Sequence, residues 1–399
     1  MLLPGCQSLG SGASTTTSTA LFTPEPQPKL VNGCLKYVCL ANQSSPDAQL
    51  AMSNYGLRQI NADDGTEYAV LIESDFVVWQ QGRSYMGEPA TSIYGYNLTT
   101  NEIIPIEWED YYHATLPLLE HGRVVYARLP EAGAPETGGK RLILWDKESR
   151  ERTTLHTHLG GESLPYGFDG TWVAFRNRFS SNETENGLFG LNVDTGEVVP
   201  IYQVTPRGSG EKLVAESVSQ GFLYYEIDVD RQGGGFDANL HEYDLTNHTD
   251  QVVAVIGGKS ACCMVASDRY IVWEGGWASV QDTLIYAYDR VTKHVLQVTD
   301  PDFHDEGGSG EGGTFPSVGG DWVTFQHHKY GINPSSNDDI IAQNLLTGNR
   351  TTVVANDHTG SAQVSATDGK TVVVAFGRAT APFETIAHDL YWTTLPTSN

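Results

Sequence analysis

Phe76-Val-Val-Trp79 is followed by Arg123-Val-Val-Tyr126, and the pattern does not stop there. Trp172-Val-Ala-Phe175, Phe222-Leu-Tyr-Tyr225, Tyr270-Ile-Val-Trp273, Trp322-Val-Thr-Phe325 and Val373-Val-Ala-Phe376 continue it. The closing aromatics stand 47, 49, 50, 48, 52 and 51 residues apart, too regular for chance. A β-rich run that returns at a nearly fixed period marks a repeat architecture, in which each unit buries its apolar face against the next.

A second run follows each aromatic one: IYGYN (93–97), LILWD (142–146), LFGLN (188–192), LHEYD (240–244), LIYAYD (284–289), IIAQN (340–344) and LYWTT (390–394). Apolar residues alternate along these runs, the period of a strand. Six of the seven end in Asn or Asp, whose side chain can bond the backbone two residues on and open a tight turn. A further short strand comes next, as in EIIPI (102–106) or EVVPI (197–201), and a leading strand precedes each aromatic run across turns such as ESD (73–75) and FDG (168–170). Four antiparallel strands per repeat make one propeller blade. The chain is therefore expected to be all-β, a seven-bladed β-propeller. The seventh repeat ends at LYWTTLP (390–396) with no fourth strand. LRQI (57–60) is the unpaired strand that would complete it, closing the ring and removing an exposed sheet edge.

The phrase FPSVGGDWVTF (315–325), followed by IIAQNLLTGNRTTVV (340–354), resembles the TolB-type propeller repeat. The resemblance covers residues 57–396. It implies the propeller fold, and a place among periplasmic scaffolds, accessory domains of peptidases and bacterial surface lipoproteins. WD and Kelch repeats match less well, because their Trp-Asp and double-Gly marks are missing.

The 399 residues carry 24 Lys and Arg against 49 Asp and Glu, a formal charge of −25. Such a surface repels phosphate backbones, which excludes nucleic acid as a partner. No run has the ~18 apolar residues of a membrane-spanning helix. Leu3-Pro4-Gly5-Cys6 resembles the end of a bacterial lipobox, although Pro4 departs from the usual small residue. That resemblance implies lipidation at Cys6, a start upstream of Met1, and an exported chain in the periplasm or on the outer surface. Residues 1–28 read as a Ser/Thr/Pro-rich tether, 29–56 as an N-terminal extension and 57–396 as the propeller. Membrane contact is expected only through the lipid. Cys34, Cys39, Cys262 and Cys263 allow three disulfide pairings, and we expect Cys262 or Cys263 to reach the 34–39 segment.

In a propeller, the connections between strands two and three, and between blades, emerge on one face. They are long here. The opposite turns are short and look chemically plain. His156 and His158 point the same way in an extended chain and suit Zn²⁺ or Mn²⁺. Asp302, His304 and Asp305 form an oxygen-rich loop suited to Ca²⁺ or to a mixed site for a transition metal. Asp228 and Asp230 resemble the start of a Ca²⁺ loop, but Asn239 stands where a bidentate Glu belongs. No cofactor beyond such an ion is expected. No G-x-S-x-G nucleophile elbow is present, and GGKS (257–260) lacks the upstream Gly of a phosphate loop.

Two functions fit. One is a binding or scaffold module whose long-loop face takes a protein or glycan ligand. The other is a polysaccharide lyase for uronate-containing glycans, by analogy with propeller lyases. There His327, His328 or Tyr330 would abstract the proton α to the carboxylate, while Arg176 and Arg178 grip it.

Overall fold

The structure is a computed structural model. It describes residues 34–35, 38–39, 57–60, 67–85, 88–108, 112–130, 140–157, 162–178, 186–203, 211–230, 236–255, 261–275, 283–299, 311–329, 339–355, 361–378 and 387–396. All regular structure among them is β.

Seven four-stranded antiparallel sheets form, each in simple up-and-down order. Blade 1 is Glu67–Glu73, Phe76–Tyr85, Glu88–Asn97 and Glu102–Glu107, from the axis outward. Blades 2 to 6 repeat this plan, and the first strands of neighbouring blades lie side by side around the axis. The expected seven-bladed propeller is the fold observed. Six of the closing aromatics, Trp79, Tyr126, Phe175, Tyr225, Trp273 and Phe325, are buried. They sit in apolar clusters between blades, as where Phe76 and Val78 of blade 1 meet Val124 and Trp145 of blade 2. Burying one such side chain stabilises by about 1.5–3 kcal/mol, so the aromatics hold blade to blade.

Blade 7 comprises Ser361–Thr367, Thr371–Arg378 and Ala387–Thr394, and its fourth strand is Arg58–Gln59. Arg58 pairs with Trp392 and Gln59 with Tyr391, and Ile60 N–H donates to Leu390 O at 2.7 Å. Ile60 enters the core between blades 7 and 1, and Leu57 the core between blades 6 and 7. The closing strand is the one read from LRQI.

The turns joining third and fourth strands share one device. Asn97, Asp146, Asn192, Asp244, Asp289 and Asn344 each accept, through Oδ1, the N–H groups two and three residues on. The residue four beyond takes a left-handed conformation: Asn101, Arg150, Gly196, His248, Lys293 and Gly348, with φ between 55° and 75°.

Every first strand carries a bulge in its pairing with the second. In blades 1, 2, 5 and 6 the bulge residue has positive φ (Ala69, Leu116, Cys263 and Phe315). In blades 1 and 5 the residue just after the closing aromatic reaches into the next blade's bulge. Gln80 Oε1 accepts from Leu116 N–H at 3.3 Å, and Glu274 Oε1 from Phe315 N–H. Bulges were not foreseen from sequence.

Cys34 and Cys39 face each other across a short ladder of Cys34–Leu35 with Val38–Cys39. The expected bridge to Cys262 or Cys263 depends on side chains outside the described residues, save that Cys263 is exposed. The tether, Cys6 and most of the N-terminal extension also lie outside them.

Candidate functional site: an acidic mouth on the axis

The first-to-second turns of all seven blades converge on the axis because the ring is closed. They enclose a cavity of about 500 Å³. Its carboxylates are Glu73, Glu120, Asp169, Asp268 and Asp368, with His121 beside them and no Lys or Arg among the described residues of the lining. This mouth lies on the face whose short turns look plain in sequence. The sequence signal was present in those turns, where acids recur, but only closure of the ring brings them together.

Three of the five carboxylates have structural partners. Glu73 accepts from His121 N–H and Gly122 N–H, both at 2.7 Å, tying blade 1 to the turn of blade 2. Asp169 accepts from Thr171 and Trp172 N–H in its own turn and from Gly221 N–H of blade 4 at 2.6 Å. Asp368 caps its turn through Lys370 and Thr371 N–H. Glu120 has a different environment. The imidazole of His121 lies beside it, with Nε2 at 3.7 Å. Burial, then the charges of Glu73, Asp268 and Asp169, push the Glu120 carboxyl up to about 7. It can therefore exchange a proton near neutral pH, and once ionised it adds to a field that attracts cations and repels polyanions.

The residues singled out from sequence do not gather at one place. Arg176, on the second strand of blade 3 (Trp172–Arg178), is buried and forms a bidentate pair with Glu216 of blade 4. Its guanidinium also stacks on Tyr166 at 4.8 Å. Arg178 ends the same strand, opposite Glu162 in the ladder. His156 lies on the outer strand of blade 2 (Arg152–Thr157), its ring 4.9 Å from that of Phe175 in blade 3. His327 lies on the second strand of blade 6 (Trp322–Lys329), opposite Gly313 and Asp339, and His328 follows it opposite Gly312. His156 and His327 thus occupy non-adjacent blades. Tyr330, His158, Asp302, His304 and Asp305 lie outside the described residues. Asp228 and Asp230 belong to a strand, Phe222–Asp230, which pairs with Phe236–Asp244, so no Ca²⁺ loop starts there. Among the described residues no three His, Cys, Asp or Glu side chains are grouped to hold a metal ion.

No family model matches the chain, and no curated protein does. Solved structures match in fold. The β-propeller domain of the trilobed protease from Pyrococcus furiosus is 13% identical, with a TM-score of 0.58 over 84% of this chain and 99% of that one. An oligogalacturonate lyase in complex with manganese is 13% identical, with a TM-score of 0.54 over 85% and 93%. The oligogalacturonate lyase of Vibrio parahaemolyticus is 12% identical, with a TM-score of 0.55 over the same shares. Identity this low establishes a shared propeller architecture and nothing of the chemistry.

Proposed function

We propose that the chain is an exported, TolB-like binding propeller whose long-loop face takes a protein or glycan ligand. The lipid-anchored tether at Cys6 belongs to the same reading. The observation that carries it is the contrast between the two faces. On the short-turn face, carboxylates such as Glu73 and Asp169 are engaged in blade-to-blade bonds. The antiparallel order of the strands sends every second-to-third and blade-to-blade connection to the other face. Those connections carry the chain's varied chemistry, including Tyr330, His158 and His304. Replacing residues 330–338 with a Gly/Ser linker tests this against a panel of immobilised oligosaccharides and proteins. Binding lost with an unchanged melting transition supports the reading, and binding unchanged in every such loop replacement refutes it.

The second reading is a lyase for uronate glycans. Its support is the shared architecture with two oligogalacturonate lyases and the adjacent His327 and His328 at the end of a blade 6 strand. One observation weighs against it: Arg176, the proposed carboxylate clamp, is already bound to Glu216.

A further inference from the structure

Glu226 and Asp228 stand two apart on the second strand of blade 4, so both project from the same side. That side faces blade 5, because Tyr224 in the same row packs with Met264, Ile271 and Trp273. Glu226 is 0% exposed and Asp228 6%. Asp228 Oδ1 has no hydrogen-bond donor. Buried carboxylates in proteins are paired or bind a cation, since desolvation of an isolated charge is prohibitive.

Across the interface, Trp273 Nε1 is buried and has no acceptor. In blade 1 the equivalent Trp79 donates to Gln81 Oε1 at 3.0 Å. The residue two beyond Trp273 is Gly275, so that acceptor is missing. Gly275 and Asp228 lie two and three residues past their blades' closing aromatics, and Trp273 packs in the same interblade cluster as Tyr224.

We infer that a hydrated divalent cation of the Ca²⁺ or Mg²⁺ class binds between blades 4 and 5, held by the carboxylates of Asp228 and Glu226. Such ions take oxygen ligands and retain water where few carboxylates are offered. The carboxylates occupy inner positions, and a metal-bound water accepts the Trp273 N–H. Lys212 is opposite Asp228 in the ladder, so an internal ion pair is the rival to be separated. The site is independent of the long-loop reading and stands or falls apart from it.

The test uses the full chain, dialysed against chelator and titrated with CaCl₂ or MgCl₂. NaCl at matched ionic strength is the control, because a chain of net charge −25 gains stability from any screening salt. The expected result is a saturable rise in Tm of about 3 °C over the control. Asp228→Asn should abolish it, while Glu120→Gln at the axial mouth and Lys212→Met should retain it. Terbium luminescence gives a second readout that does not need the Asp228 variant to fold. Emission sensitised in the wild type should be displaced by Ca²⁺ and fall in Trp273→Phe. The inference is overturned by no ion-specific rise in the wild type, by a rise that survives Asp228→Asn, or by one that disappears in Glu120→Gln.

Discussion

Arg176 of blade 3 and Glu216 of blade 4 form a bidentate ion pair buried between their blades, with no part of the Glu216 side chain exposed. The pair is the charged version of a recurring contact, in which the residue after the closing aromatic engages the next blade's bulge. Removing one partner leaves a buried charge uncompensated. Arg176→Met should cost about 3–5 kcal/mol in urea unfolding. Arg176→Met with Glu216→Leu should recover most of that loss, because a well-packed apolar pair can replace a buried ion pair.

Glu120 should make stability depend on pH in an unusual direction. Its carboxyl titrates at about 7 in the folded chain, against an ordinary 4.5. The folded state therefore holds this proton more tightly than the unfolded state. The contribution is fully present below about pH 4.5 and is lost as pH rises through 7. Its side chain is 42% exposed, so solvent screening limits the effect to about 1 kcal/mol. Glu120→Gln should unfold at a higher temperature than the wild type near pH 8, with the two coinciding near pH 4.5.

Gly196 has φ of 75°, and a Cβ there would meet nothing within 4 Å. Substitution is therefore a test of backbone strain alone. Gly196→Ala should cost about 1 kcal/mol. Gly196→Asn should cost less, since Asn101 holds the equivalent place in blade 1 with φ of 57°. Thermal unfolding of the two variants side by side checks this.

Ile60 is 1% exposed and sits in the core where the ring closes. Ile60→Ala should destabilise by about 2–5 kcal/mol. Hydrogen exchange should show the loss of protection first in Ala387–Thr394, the strand against which Arg58–Gln59 pairs.

The fold was legible because its determinants are local and repeated. The closing aromatics recur at a fixed spacing, the terminal Asx residues mark one turn of each blade, and LRQI is the spare strand. The site was not legible for two physical reasons. First, Arg176 follows the blade aromatic, where the sequence suggests a loop mouth. The strand runs on to Arg178 and the bulge of blade 4 lies alongside, so the side chain is buried. Second, Glu120 and Asp268 are ordinary turn residues in their own blades. Only the sevenfold closure sets them around one cavity, and that is a global property no local pattern displays. Asp228 shows a mixed case, since its acidic neighbourhood was visible but its strand geometry was not.

The most direct test of a binding rather than a catalytic propeller is the rate of unsaturated-uronate formation from oligogalacturonate, followed by ultraviolet absorbance with and without Mn²⁺. The account predicts no product above the buffer rate in either condition. Turnover that is lost in His327→Ala and kept in Asp228→Asn would contradict it and establish the lyase reading.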